Sequence, residues 1–542
     1  MMDGPKSLLE RAARTMGDPE ALDLLSNLVS IAPTNLEDPA HQRWEKPNYE
    51  RAMDRILRTA RGLGFATRVY DPTSDPHFLG KLHGGPRPNA IIDRNVGADH
   101  TVLVMAHYDV VPVPEEQRSR WKSPPFTLTA REDGRLYGRG SNDDLGSGVV
   151  GGLTAFKRLA REEFESVNLR LLICCDEETG GEGGIETIRE HDARLGPDDP
   201  GRIIRADVAL IPDGSPHTTA GSSGVAFLDA TVERPVPLVE ATAYGEELVR
   251  LHELARTWKS PMRSEDWPAH NAPEPTITGR ATLTKFDLRS APSGGPLPRL
   301  LLAHAESDAA NQIAQSVTLA FEAPGSTRTE LPKQLATLLE PPFHLEAVTS
   351  SGESLPTGSL VLAIVGVGGH GGYPHRFSNP VPPTLQLLRI AAERGWIDAR
   401  AEGDVSAVVD LRLTPEMELN DGVTAASGRI GPWLKAKLPV GRVVAPPGRS
   451  RSGYALPVDH PSVLRMATIM DAVFHEPVIY GEYGGTDASS LRGLSTPAGE
   501  PLPALVIGSM DRAANIHEAE ESLDPKYFAG IVDVICRYVQ AM

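Results

Sequence analysis

The stretch Cys174-Cys175-Asp176-Glu177-Glu178-Thr179-Gly180-Gly181 constrains this chain more than any other. It closes an apolar run, Leu169 to Cys175, which reads as a buried strand. Three consecutive carboxylates at the end of such a strand must offset their desolvation. Burial raises the pKa of neighbouring acids unless a cation stands beside them. A metal ion is the simplest solution: one carboxylate binds it, and its neighbour stays free to handle a proton. The glycines that follow let the chain turn away closely. An acidic loop at a strand end satisfies the same residues, so the choice rests on the remainder of the chain.

Thr101 to Ala106 is another short apolar run, ending in His107-Tyr108-Asp109, and Ala206 to Ile211 is a third, ending in Pro212-Asp213-Gly214. Between the first two, Gly146 to Arg161 reads as a helix that opens on Asn142-Asp143-Asp144. Strands alternating with helices predict an α/β sheet, and each polar group falls at a strand end, where open α/β sheets place their sites. His107, Asp109, Asp143 or Asp144, Glu178 and Asp213, joined by His517 near the C-terminus, form an N/O donor set suited to zinc and other borderline divalent ions. His107 and Asp109, two apart on an extended segment, project to the same side.

Around Gly221 the pattern changes. Val225 to Val232 and Thr276 to Leu288 read as strands, Leu238 to Trp258 as a helix, and Leu300 to Phe321 as broadly helical. His344 to Ser350, Leu360 to Val367 and Val405 to Leu413 follow as strands, with a helix over Pro382 to Arg394. The expected organisation is a first catalytic segment over 1–220, an inserted α+β lid or dimerisation-like domain over 221–439, and a second catalytic segment over 440–542. Val440 to Tyr454, rich in Gly, Pro and Arg, reads as the linker back. A chain of 542 residues exceeds one ordinary core, which agrees with that division.

A net charge of −18 argues against a nucleic-acid partner, because phosphate binding needs clustered Lys and Arg. No apolar run is long enough to span a bilayer, so no membrane partner is expected. Met1 to Asn27 is polar and reads as a helix start, not as a leader. Three cysteines make no disulfide framework; they read as core residues of a cytoplasmic protein.

The ordered set HYDVVPV (107–113), WKSPPF (121–126), YGRGSNDDLG (137–146), DEETGG (176–181), PDG (212–214), GGHGGYP (368–374), GGTDA (484–488) and NIHEAEE (515–521) resembles the M20 family of metallopeptidases, which includes di-zinc dipeptidases, aminoacylases and related deacylases. The resemblance implies a zinc-peptidase-like catalytic domain, with a mixed sheet flanked by helices, and an inserted lid. It implies two divalent metal ions, zinc first, with cobalt or manganese as substitutes. Asp143 would bridge them, His107 and Asp213 would hold one, and Glu178 and His517 the other. Asp109 would orient His107, and Glu177 would be the general base. His370, from the lid, would polarise the scissile carbonyl. Arg412, Gly484 and Gly485 would grip a substrate carboxylate.

The chain departs from the family pattern in two places. Leu145 stands where family members often have Lys, which implies altered packing behind the ligands and no loss of metal. About 140 residues separate Val225 from His370, more than a small lid needs. The excess resembles the enlarged lid of PepV-type dipeptidases, which supplies the histidine within one chain. An unrelated elaboration of a dimerising lid fits equally, so a monomer and a homodimer both stand. The expected function is hydrolysis of dipeptides or short peptides bearing a free C-terminal carboxylate. N-acyl-amino-acid deacylation is the alternative within the same chemistry, and an inactive metal-binding scaffold the alternative outside it.

Overall fold

The computed structural model of the chain describes residues 5–34, 48–78, 85–113, 115–196, 199–264, 276–291, 295–305, 312–348, 355–371, 374–423, 428–437, 441–445 and 450–542. It forms two compact units. The first comprises Met1–Ser222, Tyr454–Gly481 and Thr486–Met542, and the second Ser223–Gly453 and Glu482–Gly485.

The first unit is built on a mixed sheet whose strands run in the order Ala66–Tyr70, Asn89–Arg94, Asn168–Cys174, Thr101–His107, Val208–Ile211, Ala504–Val506 and Thr218–Ser222. The four consecutive strands from Asn168–Cys174 to Ala504–Val506 are parallel, and the outer pairings are antiparallel. The parallel strands are the near-continuous apolar runs of the sequence, as a sheet covered on both faces requires. Their register sets His107 beside Cys174, so the groups after both strands emerge at one end of the sheet. Helices Gly151–Arg161 and Pro525–Gln540 pack against each other. The latter, not expected from the sequence, opens with Asp524 accepting from the Lys526 N–H and with Pro525 in its first turn.

The expected helix at Gly146 starts earlier and differently. Asp143–Val150 is a π-helical turn, with Ser147 N–H donating to the Asn142 carbonyl at 2.7 Å, and the α-helix begins at Gly151. Glycine is needed here: a Cβ on Gly146 would lie 2.3 Å from the Ser141 carbonyl oxygen. Such turns recur at functional sites because they re-aim side chains; this one carries Asp143 and Asp144.

The second unit is an antiparallel sheet ordered His344–Ala347, Leu360–Val365, Ser316–Glu322, Arg299–Ala305, Arg280–Ser290, Glu402–Arg412, Val225–Val232 and Gly441–Val444. Helices Leu238–Ala255 and Val381–Glu393 pack on each other and on the Arg280–Ser290 strand. Leu248, Leu251, Phe286, Leu385 and Leu388 are all buried in the resulting core.

Two expectations are corrected. Leu300 to Phe321 is not helical; it supplies two paired strands, Arg299–Ala305 and Ser316–Glu322. Leu and Ala favour helix by only about 0.5 kcal/mol per residue, and burial of Leu300, Leu301, Leu302 and Ala303 inside a wide sheet outweighs that preference. The expected linker is in part a strand as well: Gly441–Val444 pairs antiparallel with Val225–Val232 and belongs to the second unit. Val440 and Arg449 lie outside the described residues. Ahead of His370 the chain adds four strands at one edge of this sheet, Arg299–Ala305, Ser316–Glu322, Leu360–Val365 and His344–Ala347.

Candidate metal centre

His107 ends its strand almost fully buried. Its Nδ1 lies 3.0 Å from the Asp109 backbone oxygen and 3.4 Å from Asp109 Oδ1. A proton on Nδ1 satisfies both and leaves Nε2 as the nitrogen that faces Asp144 Oδ1, 3.5 Å away. The fully buried Asp109 carboxylate also accepts the backbone N–H groups of Glu177 and Glu178, each at 3.2 Å. One side chain thus ties the histidine to the acidic turn.

That turn is sharp. Asp176 is left-handed at φ 59°, Glu177–Thr179 forms one 3-10 turn, and Gly180 follows at φ 108°. Asp176 is anchored by the buried Arg87 guanidinium at 2.6 Å and the Tyr49 hydroxyl at 2.7 Å. Burial nonetheless lifts its pKa to about 7, against the pull of Arg87. Beyond the turn, Glu178 Oε1 meets His517 Nε2 at 3.0 Å.

Two sets of candidate ligand atoms converge, each within 4.8 Å: His107, Asp144 and Glu178, and Asp143, Asp144 and Asp213. Asp143 Oδ1 is buried with no hydrogen-bond partner. Burial raises the pKa of Asp143, and raises those of Asp144 and Asp213 well above the usual carboxylate range; Asp143 further lifts Asp144, and Glu177 further lifts Asp213. Burial opposes charge on both histidines, yet Asp144 and Asp109 hold His107 up, and Glu178 holds His517 at about 9. The same His517 contact outweighs burial at Glu178 and lowers it. Crowded carboxylates, an orphaned buried oxygen and two imidazoles fit divalent ions with N/O preference.

The structure therefore brings His107, Asp109, Asp143, Glu177, Glu178, Asp213 and His517 to one region. Asp144, left beside Asp143 as an alternative in the sequence, falls in both ligand sets. The sequence reading missed Arg139, Gln117 and Glu521, which surround His517 from behind.

His370, Arg412, Gly484 and Gly485 belong to the second unit. The His370 backbone pairs with Gln312 in a short ladder, while its side chain, with Gly372 and Tyr373, lies outside the described residues. Arg412 is expected as an open carboxylate clamp. Its fork is instead closed on Asp410 at 2.7 and 2.9 Å, and a third bond at 3.2 Å reaches the Tyr483 carbonyl. The cause is strand geometry, since residues two apart share a face. Gly484 and Gly485 follow Tyr483 and are half-buried.

Buried carboxylates and a histidine at the ends of parallel strands, joined by His517 from a late turn, define a class of α/β protein able to hold divalent ions. The chain belongs to Peptidase family M20/M25/M40, which it matches over residues 103–541. It is 31% identical over 172 residues to the Cys-Gly metallodipeptidase dug1 of Schizosaccharomyces pombe, covering 30% of this chain and 33% of the relative. It is 42% identical over 181 residues to the succinyl-diaminopimelate desuccinylase of Delftia acidovorans, covering 32% and 41%. The matches thus span about a third to two fifths of those relatives. The fold resembles human carnosine dipeptidase 1 at a TM-score of 0.55, with 16% identity over 98% of this chain and 100% of that one. It also resembles the M20 metallo-carboxypeptidase Sso-CP2 of Sulfolobus solfataricus at 0.52, with 15% identity over 96% and 98%. Among the described residues no helix is long and apolar enough to cross a membrane.

Proposed function

We propose that this protein hydrolyses the amide bond of dipeptides or short peptides with a free C-terminal carboxylate, using two divalent ions, zinc by preference. One observation carries the reading: Asp109 holds His107 on one side and the N–H groups of Glu177 and Glu178 on the other. A ligand and a base are thereby fixed on a single turn. Asp143 or Asp144 would be shared by the two ions, with His107 and Asp213 as ligands of one and Glu178 and His517 as ligands of the other. When bound, the ions polarise the scissile carbonyl and acidify a water.

Glu177 takes the proton of that water and hands it to the leaving amine. His370 donates toward the developing oxyanion. Arg412, closed on Asp410, anchors the Tyr483–Gly485 turn, and the Gly484-Gly485 backbone takes the substrate carboxylate. Three free buried cysteines support a cytoplasmic setting.

The likeness to a desuccinylase favours a second reading, removal of an acyl group from an N-acyl amino acid. Assay of a dipeptide panel beside N-acyl amino acids, with metal analysis, separates the two. Turnover of acyl substrates alone would overturn the peptidase reading, and metal uptake without any turnover would leave a scaffold. Mixing Glu177→Gln with His370→Ala subunits tests where His370 acts. No regained activity, with an active wild-type monomer, supports action within one chain; regained activity places it across a dimer.

Metal uptake is expected to release protons. His517, held at about 9 by Glu178 against the opposing effect of burial, is protonated at neutral pH in the metal-free protein and must be neutral to bind metal. Affinity should climb as pH rises toward about 9, with about one proton or more released per loaded chain. In the metal-free protein the raised pKa of His517 contributes stability that is lost as pH rises from 6.5 through about 9, and the lowered pKa of Glu178 makes the same pair lose its contribution in acid. Calorimetry in two buffers of different ionisation enthalpy reads the release. An identical heat in both would remove His517 from the ligand set.

A further inference from the structure

We propose that Arg139 and Gln117 are positioning residues for His517, gripping its backbone carbonyl so that its ring stays on Glu178. This rests on the reading of His517 and Glu178 as metal ligands. Gln117 Nε2 donates to the His517 carbonyl at 2.8 Å, and an Arg139 terminal nitrogen donates to the same oxygen at 3.1 Å. The two donors are tied to each other, since Arg139 also donates to Gln117 Oε1 at 2.6 Å. The other terminal nitrogen of Arg139 binds Glu521 Oε2 at 2.5 Å, four residues past His517. Arg139, Gln117 and Glu521 are all buried. A carbonyl oxygen has two acceptor sites, and here both are filled by side chains from a different part of the chain.

The grip answers a conformational need. His517 has φ 64°, and Asn515 and Glu520 are left-handed at 52° and 68°. Non-glycine residues keep that conformation only where their surroundings over-determine it. The described contact of the His517 ring is Glu178, so the ring by itself does not fix the backbone behind it. Glu520 is held separately, by Arg131 and by the Lys122 N–H at 2.8 Å. Gln117 and Arg139 act at His517 itself. Outer groups of this kind keep a ligating imidazole aimed at its ion.

The test compares wild type with Gln117→Met, Arg139→Lys and His517→Ala, using Zn2+ competition against a chromophoric chelator and Co2+ absorption spectra. Arg120→Ala, which removes an exposed ion pair to Glu518 in the same loop, serves as control. Wild type and the control are expected to bind two ions. Gln117→Met and Arg139→Lys should each weaken one site about 10–100-fold and leave the other within about threefold. The weakened site should be the one that His517→Ala removes, with only its cobalt bands altered. A role in folding alone would lower thermal stability without selecting one ion. Gln117→Met keeps the Arg139–Glu521 pair, so it decides the matter if Arg139→Lys does not fold. Wild-type affinity at both sites of folded Gln117→Met overturns the grip. A wild-type protein that takes up no ion overturns the metal reading together with the grip.

Discussion

Replacing Glu177 by Gln is expected to cut turnover about 10²–10⁴-fold while both ions stay bound and the fold is unchanged. Glutamine keeps the volume and the backbone N–H that Asp109 accepts at 3.2 Å, so the turn has no reason to move. It loses only the carboxylate that takes a proton. Glu177 has no place in either ligand set, yet its charge reaches both His107 and Asp213. That is the position of a base beside ligands. The measurement is kcat and KM on a cleaved dipeptide, with metal content determined on the same sample. Near-normal turnover would move the base to Glu178 or Asp144. Lost metal would mean that Glu177 is itself a ligand.

The parts of this architecture legible in the sequence are those written in local pattern. Thr101–His107, Asn168–Cys174 and Val208–Ile211 are short apolar runs with polar ends, and a covered parallel sheet leaves few other ways to read them. The helix Tyr49–Gly62 is equally plain, with Ala52, Met53, Ile56, Leu57 and Ala60 buried at helical spacing.

What escaped depends on distant partners. Leu300 to Phe321 has helical composition, and only its neighbours in a wide sheet make it two strands. The role of Asp144 depends on the π-helical turn, which is dictated by the close approach of Gly146 to Ser141. Arg139 lies inside the segment YGRGSNDDLG, where nothing in the local pattern singles it out. Its partners Glu521 and His517 lie 382 and 378 residues away, and no local pattern announces them. Pro525–Gln540 was legible in principle, since Asp524-Pro525 is a strong helix start.

Asp109→Asn should damage metal binding and catalysis together, because its carboxylate serves three donors with two oxygens. Oδ1 accepts from Glu177 N–H and lies 3.4 Å from His107 Nδ1, while Oδ2 accepts from Glu178 N–H. An amide has one acceptor oxygen. Placed at Oδ1, it turns its NH2 against the Glu178 N–H, donor against donor, in a fully buried spot. Placed at Oδ2, it opposes Glu177 N–H and also sets its NH2 against His107 Nδ1–H, which the Asp109 backbone oxygen at 3.0 Å holds in place. The first arrangement costs less, about 1–3 kcal/mol for one unsatisfied buried donor. The turn then shifts, and it carries both Glu178 and Glu177. The expected result is a 10–100-fold weaker ion affinity and, with excess metal restored, a kcat still well below wild type. Glu177→Gln should show the second effect without the first. Calorimetric titration of Zn2+ and a kcat measured at saturating metal separate the two variants. Full recovery of kcat on adding metal would show that Asp109 serves His107 alone, and that the acidic turn holds its shape without it.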